Sequence, residues 1–227
     1  MENFLLISDK DWCSKMTTDL KKNSDYKFHS IQENNELNME NIKSIKPKMI
    51  FVPHWSKIIP EEIYSNYQTV IFHMTDLPYG RGGSPLQNLI VRGHKETFIS
   101  ALKCAKKIDA GPIYLKKFLS LKGTADDIFR RAYHVIMEMI IEIIKSNPKP
   151  QKQEGAATYF ERRSPEDGNL INASSINQIY DFIRMLDSDE YPPAYLKFGK
   201  YFATFQEADI ENECVIAKVK IKRLKNE

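Results

Sequence analysis

The sequence has few cysteines, no cysteine–histidine cluster and little excess charge of either sign. Cys13, Cys104 and Cys214 are far apart and form no CxxC pair. This spacing argues against a disulfide framework or a structural zinc site, and it indicates a reducing compartment. Lys and Arg number 33 against 30 Asp and Glu, so the net charge is only +3 over 227 residues. Proteins that hold phosphate backbones usually carry a larger positive excess, and nucleic-acid binding is therefore not predicted.

Long hydrophobic runs are also missing. The most apolar stretch, residues 135–144, is about half as long as a membrane span and contains Glu138 and Glu142. The N-terminal run FLLI is short and has no basic flank, so it does not resemble a secretory signal. We therefore expect a cytoplasmic protein with no membrane partner.

Short apolar runs alternate with helix-like segments through the first half of the chain. The runs at 3–7, 27–31, 49–53 and 69–73 predict strands. Helices are predicted at 11–22 and 39–45, and another is predicted to begin at Pro60. This alternation indicates an α/β fold with a Rossmann-like, mostly parallel sheet and flanking helices.

The second half predicts a different organisation. Ser84 is expected to cap a helix that begins at Pro85 and ends at Gly93. Strands follow at 97–105 and 112–121, and Thr124 caps a long helix that ends near Ser146. We predict a main domain at 1–146, a linker at 147–157, and a small α+β C-terminal lobe at 158–227 with a hairpin at 199–200. The lysines of KVKIKRLKNE are interpreted as protection of an edge strand.

His73 ends the fourth predicted strand, where open parallel sheets bind their ligands. The alternative is a structural histidine that bonds to a nearby loop. The following Gly80-Arg81-Gly82-Gly83-Ser84 segment combines backbone N–H groups, a helix start and a guanidinium, which suits an anion or a carbonyl oxygen. The alternative for these glycines is a tight turn. The segment has neither Walker nor GxGxxG spacing.

Further candidates have equally plain alternatives. Asp109 either orients His73 or bonds its own turn. Trp55 and Ile59 follow the third strand and either enclose a flat heterocycle or belong to the core. Arg162 and Arg163 either clamp phosphates or are simply solvated.

The segments FHMTDLPYGRGGSPLQNLI, KKIDAGPIY, RRSPEDG and YPPAYL together resemble the formyltransferases that use N10-formyltetrahydrofolate. That family includes methionyl-tRNA formyltransferase and the sugar N-formyltransferases. The family core corresponds here to His73, Leu77-Pro78, Arg81-Gly82, Pro85 and Asp109-Ala110-Gly111. Ile71 stands where the family has an asparagine, so either another group, such as a glycine-loop N–H or Asn88, donates to the oxyanion or catalysis is weaker.

The resemblance implies a formyltransferase catalytic domain at 1–146 and a chemistry for these residues. His73 would act as general base and Asp109 would orient it. N10-formyltetrahydrofolate would be the cosubstrate, held near Trp55, Ile59, Arg81, Gly82 and Asp109, and no metal is implied. Substrate contacts are expected from three arginines, Arg81, Arg162 and Arg163.

The resemblance alone does not identify the formyl acceptor, but the length of the chain favours one branch of the family. Only about seventy residues follow the linker, which favours the sugar branch over the larger methionyl-tRNA enzymes. We therefore expect a nucleotide-linked amino sugar, of the kind used in pseudaminic acid biosynthesis, and no nucleic-acid partner. The alternatives are a methionyl-tRNA formyltransferase-like enzyme and a non-catalytic binder of folate or a nucleotide sugar. A homodimer through the C-terminal lobe is left open.

Overall fold

The central feature of the fold is a six-stranded sheet in a computed structural model that describes residues 2–10 and 15–224. The strand order is β2-β1-β3-β4-β6-β7, in which β1, β2, β3 and β4 pair in parallel and β4 pairs with β6 antiparallel. The strands of this sheet are β1 (Asn3–Ser8), β2 (Lys27–Ile31), β3 (Met49–His54), β4 (Thr69–His73), β6 (Glu96–Lys103) and β7 (Ile113–Ser120). The predicted mostly parallel α/β sheet is confirmed.

Helices connect the parallel strands β1 to β2, β2 to β3 and β3 to β4, and the next two helices follow along the chain. Their bounds are α1 (Met16–Lys22), α2 (Met39–Ile45), α3 (Glu61–Asn66), α4 (Pro85–Val91) and α5 (Ala125–Ser146). Strand β1 is an almost unbroken apolar run, with Phe4 and Leu5 fully buried. Residues 11–14 of the first predicted helix lie outside the described residues.

The two helix caps proposed from sequence have different outcomes. Thr124 and Asp127 bond to each other at the start of α5 as predicted, because the Asp127 N–H donates to Thr124 Oγ1 at 3.2 Å. Ser84 does not cap α4. Its φ of 46° is left-handed, and its Oγ instead accepts the Arg163 N–H at 3.1 Å. Pro85 does begin the helix.

The chain forms two compact units. The first unit comprises residues 1–82, 97–119 and 130–159, and the second comprises 83–96, 120–129 and 160–227. The boundaries 1–146, 147–157 and 158–227 stay a prediction. A short strand, β5 (Arg81–Gly82), pairs with β8 (Tyr159–Phe160).

The second unit contains a helix and a three-stranded antiparallel sheet. Helix α6 (Ile176–Arg184) packs against the middle strand of β9 (Ala194–Phe198), β10 (Tyr201–Glu211) and β11 (Cys214–Arg223). The predicted hairpin at 199–200 joins β9 to β10, and the α+β lobe is confirmed. Within the described part of the chain, no helix combines the length and apolar character needed to cross a membrane.

Candidate functional site

His73 is the last residue of β4 and is 7% exposed. Its Nε2 lies 2.8 Å from the carbonyl oxygen of Gly80. Because a carbonyl only accepts hydrogen bonds, Nε2 must carry a proton. The basic lone pair of the neutral ring is therefore on Nδ1. This contact fixes both the orientation and the tautomer of the imidazole.

Asp109 stands beside that lone pair. Its Oδ2 is 3.5 Å from His73 Nδ1 and accepts the Gly82 N–H at 2.9 Å. The structure thus brings together His73, Asp109 and Gly82, as the sequence predicts. The expected division of roles changes, because the Gly80 carbonyl and not Asp109 sets the tautomer. Asp109 is placed to stabilise an imidazolium once Nδ1 has taken up a proton.

A glycine explains how Asp109 reaches this position. A Cβ on Gly111 would lie 1.8 Å from the Lys103 carbonyl oxygen, so only glycine lets the loop lie this close to the end of β6. Asp109 itself has a left-handed φ of 49°. The Asp-x-Gly pattern is therefore a packing requirement as well as a chemical one.

Gln153 supports the same loop and was missed by the sequence analysis. Its Nε2 donates to the carbonyl oxygens of Asp109 and Gly111, both at 2.8 Å. Its Oε1 accepts from Arg81 Nε and Nη2 at 3.2 and 2.7 Å. A lone glutamine in a Pro- and Lys-rich segment gives no local signal of such a role. Arg81 is buried and bonds to protein groups here, and its contacts with cosubstrate or substrate stay a prediction.

The expected replacement for the family asparagine at Ile71 is not supported. Ile71 packs against the apolar core. Asn88 Nδ2 donates to three carbonyl oxygens of its surroundings, those of Gly83, Ser84 and Glu161. The backbone N–H groups of the glycine loop are used as well, those of Gly80, Arg81, Gly82 and Gly83. These groups hold the loop rigid and do not point to an oxyanion.

Trp55 and Ile59 follow the carboxyl end of β3, and their contact with the cosubstrate stays a prediction. Ile59 is 5% exposed and belongs to the core, and Trp55 packs against the same cluster. The indole Nε1 is buried and has no acceptor within the described residues. An apolar surface with an unsatisfied N–H fits a flat heterocycle that carries acceptor atoms.

A second polar cluster lies at this edge of the sheet. Asp9 follows β1, and its Oδ1 lies 2.9 Å from His54 Nδ1 while its Oδ2 accepts the Ser56 N–H at 2.9 Å. The Ser56 hydroxyl donates to the same Oδ2. Burial raises the pKa of Asp9, whereas the hydrogen bonds with His54 and Ser56 lower it. The hydrogen bonds have the larger combined effect and hold the pKa well below the usual range. The cluster fixes the segment that carries Trp55.

We expect Asp9→Asn to lower the free energy of unfolding at pH 7 by about 1–2 kcal/mol, because charge-assisted bonds are lost. A carboxyl group whose pKa is lower in the folded state stabilises the fold at any pH above its unfolded pKa of about 3.9. This stabilisation is lost as the pH falls from there towards the folded pKa. The difference from wild type in urea denaturation should therefore shrink below about pH 4. Asp76→Asn, at an exposed carboxylate paired with Lys116, is the control and should change stability by less than about 0.5 kcal/mol. Equal effects of the two variants would contradict a special role for Asp9.

Arg162 and Arg163 belong to the second unit. Arg162 is exposed, whereas Arg163 is partly buried and its Nη2 donates to the Asp167 carbonyl at 3.1 Å. They are therefore not equivalent side chains, and their contacts with substrate stay a prediction.

The antiparallel sheet of the second unit has one basic face, here called the lysine face. From the sequence alone, its C-terminal lysines are expected only to protect an edge strand. Cross-strand pairing places Lys197 and Lys222 on either side of Phe202, and Lys220 beside Thr204. The Tyr195 and Phe202 rings stack at 5.1 Å, with Lys197 and Lys222 over them. The face consists of Lys197, Lys218, Lys220 and Lys222 with Tyr195 and Phe202. Lysines at every second position of KVKIKR were the available signal.

Family comparisons assign both parts of the chain. Residues 4–144 match the family model described as formyl transferase. Residues 165–222 match the model described as the methionyl-tRNA formyltransferase C-terminal domain.

Individual relatives agree with these matches. The chain is 30% identical over 176 residues to methionyl-tRNA formyltransferase from Sulfurihydrogenibium sp., covering 73% of this chain and 56% of that protein. It thus spans about half the length of the curated relatives it matches. A solved structure, methionyl-tRNA formyltransferase from Clostridium thermocellum, is 47% identical with a TM-score of 0.94, covering 98% of this chain and 100% of that one. HypX from Aquifex aeolicus in complex with tetrahydrofolic acid shares the fold, at 17% identity and a TM-score of 0.75 over 90% of this chain and 37% of that one.

Proposed function

The chain belongs to the formyl transferase family, and on this basis we propose that it transfers a formyl group from N10-formyltetrahydrofolate to the amine of methionyl-tRNA. The observation that carries the chemistry is the placement of His73 Nδ1 beside Asp109, with Nε2 held by the Gly80 carbonyl. The predicted cosubstrate agrees with the family assignment.

The prediction of an amino-sugar acceptor without a nucleic-acid partner is wrong. The C-terminal family match, the Sulfurihydrogenibium relative and the Clostridium thermocellum structure all carry the name methionyl-tRNA formyltransferase. The argument from length failed because the solved chain of Clostridium thermocellum methionyl-tRNA formyltransferase aligns over its whole length with 98% of this chain. A chain of this size can therefore carry that name. The charge argument failed because a net charge of +3 conceals the lysines gathered on one sheet face.

The amine attacks the formyl carbon of the cosubstrate, and the bond between that carbon and N10 breaks as tetrahydrofolate leaves. His73 acts as general base, because its Nδ1 lone pair accepts the proton that the attacking amine loses, and the imidazolium then returns this proton to the departing N10. The Gly80 carbonyl keeps the imidazole in place during this transfer, and the Asp109 carboxylate stabilises the positive charge that forms on the ring. Gln153 and Arg81 hold the Asp109 loop and thus preserve the distance between the two groups.

On the donor side, Trp55 and Ile59 offer an apolar surface next to an unsatisfied indole N–H. These features support contact with the flat pterin ring. Gly82 and Asp109 are bonded to each other, which fixes the two predicted contact residues relative to one another.

On the acceptor side, the lysine face supports a tRNA partner. Lysines two residues apart on a strand are about 7 Å apart and point the same way, so several can contact successive phosphates. Stacked aromatic rings between them offer a surface on which unpaired bases stack.

The test is binding and formylation of methionyl-tRNA by a triple variant, Lys197→Gln with Lys220→Gln and Lys222→Gln. We expect affinity to fall by about a hundredfold at low salt, and the slope of log affinity against log salt to flatten by about one per lysine. The control is Lys22→Gln with Lys43→Gln and Lys145→Gln, which removes the same charge from exposed sites in the first unit.

Each outcome of this assay separates the candidate functions. The proposal is supported if methionyl-tRNA triggers release of tetrahydrofolate by the wild type and the control variant but not by the lysine-face variant. Equal losses in both variants would contradict a specific role for the lysine face. Binding of the cosubstrate without turnover would identify a non-catalytic binder.

A further inference from the structure

The second unit contains a small cavity beside Arg163, whose lining residues have no part in the proposed proton transfer. Its volume is about 90 Å³, and its polar lining comes from Ser84, Gln87, Arg163 and Ser164. Tyr191 and Pro192 contribute to its apolar wall. A bound water occupies about 30 Å³, so the space suits a group of a few heavy atoms.

The guanidinium of Arg163 is incompletely satisfied. Its Nη2 donates to the Asp167 carbonyl at 3.1 Å, whereas its Nε is buried with no acceptor within the described residues. A buried charged donor without a partner is costly, and native structures normally provide one as a protein group, water or ion.

Asp167 does not neutralise this guanidinium well. Its carboxylate oxygen approaches Arg163 Nη2 only to 3.9 Å. The other oxygen accepts the Ser164 N–H at 2.7 Å, as part of the capping box of the turn Pro165–Gly168. The carboxylate is therefore committed mainly to its own turn.

Neighbouring groups add to the positive potential. Burial lowers the pKa of Arg163 from its ordinary value, Asp167 opposes this, and the like charge of Arg92 acts in the same direction as burial. Arg92 is itself anchored over the Phe160 ring at 4.5 Å and donates to the Asn88 carbonyl at 2.9 Å. Two guanidinium groups therefore act near one small cavity.

The loop that forms the cavity wall is held rigidly. Ser84, in its left-handed conformation, accepts the Arg163 backbone N–H, which leaves its hydroxyl proton to be directed elsewhere. A Cβ on Gly83 would lie 2.6 Å from Arg162 Cα, so the two chain segments are in close contact. The polar groups of the cavity are thus preorganised.

We propose that this cavity is a phosphate subsite, in which the Arg163 guanidinium and the Ser84 hydroxyl hold one phosphate group. The Ser164 hydroxyl is not counted as a donor, because it donates to Asp167 Oδ2 at 3.3 Å. The planar fork of donors on arginine matches phosphate oxygens, and the volume admits one such group. The phosphate comes either from a free mononucleotide or from the backbone of an RNA strand. The proposal does not depend on the identity of the formyl acceptor.

The experiment measures binding of inorganic phosphate, AMP and a short single-stranded RNA to the full chain by calorimetry. We expect Arg163→Gln to weaken phosphate binding by about tenfold or more, because charge-assisted bonds are lost. Lys200→Gln, which removes one charge at the exposed hairpin turn, should change it by less than about twofold. Binding that is absent in wild type, or equal in wild type and Arg163→Gln, would overturn the proposal.

Two further arms complete the test. If Arg163→Gln fails to fold, Arg163→Lys is measured instead, because lysine keeps the positive charge and lacks the planar guanidinium donors. We expect this variant to bind phosphate at least about threefold more weakly. Unchanged affinity in the lysine variant would overturn the proposal. Competition between phosphate and the RNA identifies a backbone phosphate as the ligand, whereas tight AMP binding without RNA competition identifies the free nucleotide.

Discussion

We expect His73→Gln to reduce turnover by about a hundredfold or more, because the variant has no basic nitrogen in the site. The amide N–H of glutamine can still donate to the Gly80 carbonyl, so the loop that His73 supports should stay in place. The Michaelis constant for the cosubstrate should change by less than about threefold, since general-base catalysis acts on the transition state. Steady-state release of tetrahydrofolate with methionyl-tRNA provides the measurement.

The matched control is Thr75→Val. Thr75 is fully buried and its hydroxyl reaches the same Gly80 carbonyl oxygen at 3.4 Å. Valine has nearly the same shape, so the variant removes a contact to that oxygen without touching the imidazole. Turnover should fall by less than about threefold, as expected for a group outside the proton transfer. Near-normal kinetics of His73→Gln would remove the imidazole from the mechanism.

The second large effect is expected for Gly111→Ala. The new methyl group would overlap the Lys103 carbonyl oxygen, a backbone atom that cannot turn aside. We expect a loss of about 3 kcal/mol in the free energy of unfolding, at the upper end for overpacking. This corresponds to a fall of roughly 6–12 °C in Tm for a chain of this size. Turnover should drop by at least about tenfold, because displacement of the loop moves Asp109 away from His73.

Gly93→Ala is the control for this substitution. Gly93 also has a backbone requirement, a φ of 81°, but no atom lies within 4 Å of a Cβ placed there. We expect a loss of only about 1 kcal/mol, from the left-handed conformation alone, and unchanged turnover. Thermal unfolding and tetrahydrofolate release on both variants check the comparison. Equal destabilisation would show that the contact with Lys103 is relieved by movement of β6.

Much of the fold could be predicted from local patterns. Buried parallel strands appear as short apolar runs, which identified β1, β3 and β4 and placed His73 at the edge where ligands bind. Glycine and proline identified the turn before α4. The prediction for Ser84 failed because residue type indicates a cap only when the backbone is extended, and here the contact with Arg163 favours a left-handed conformation.

The supporting contacts of the site could not be predicted in this way. Asp9 and His54 are 45 residues apart, and Arg81 and Gln153 are 72 apart. Each pair is formed by the tertiary fold, and of these four residues only Arg81 belongs to a sequence motif. Periodicity reports which side of an element is buried, but it does not report which distant side chain completes a hydrogen bond.

The contacts of Gln153 have a consequence for how the protein matures on the ribosome. All six strands of the central sheet have been synthesised by residue 120, and α5 is complete at Ser146. The clamp on the carbonyls of Asp109 and Gly111 comes only with residue 153. A nascent chain that ends at residue 146 would therefore contain all six strands of the central sheet together with His73 and Asp109. It would lack Gln153, whose side chain holds the Asp109 loop. The hydrogen bonds that hold the proposed site are therefore completed only after the strands and the long helix have been synthesised.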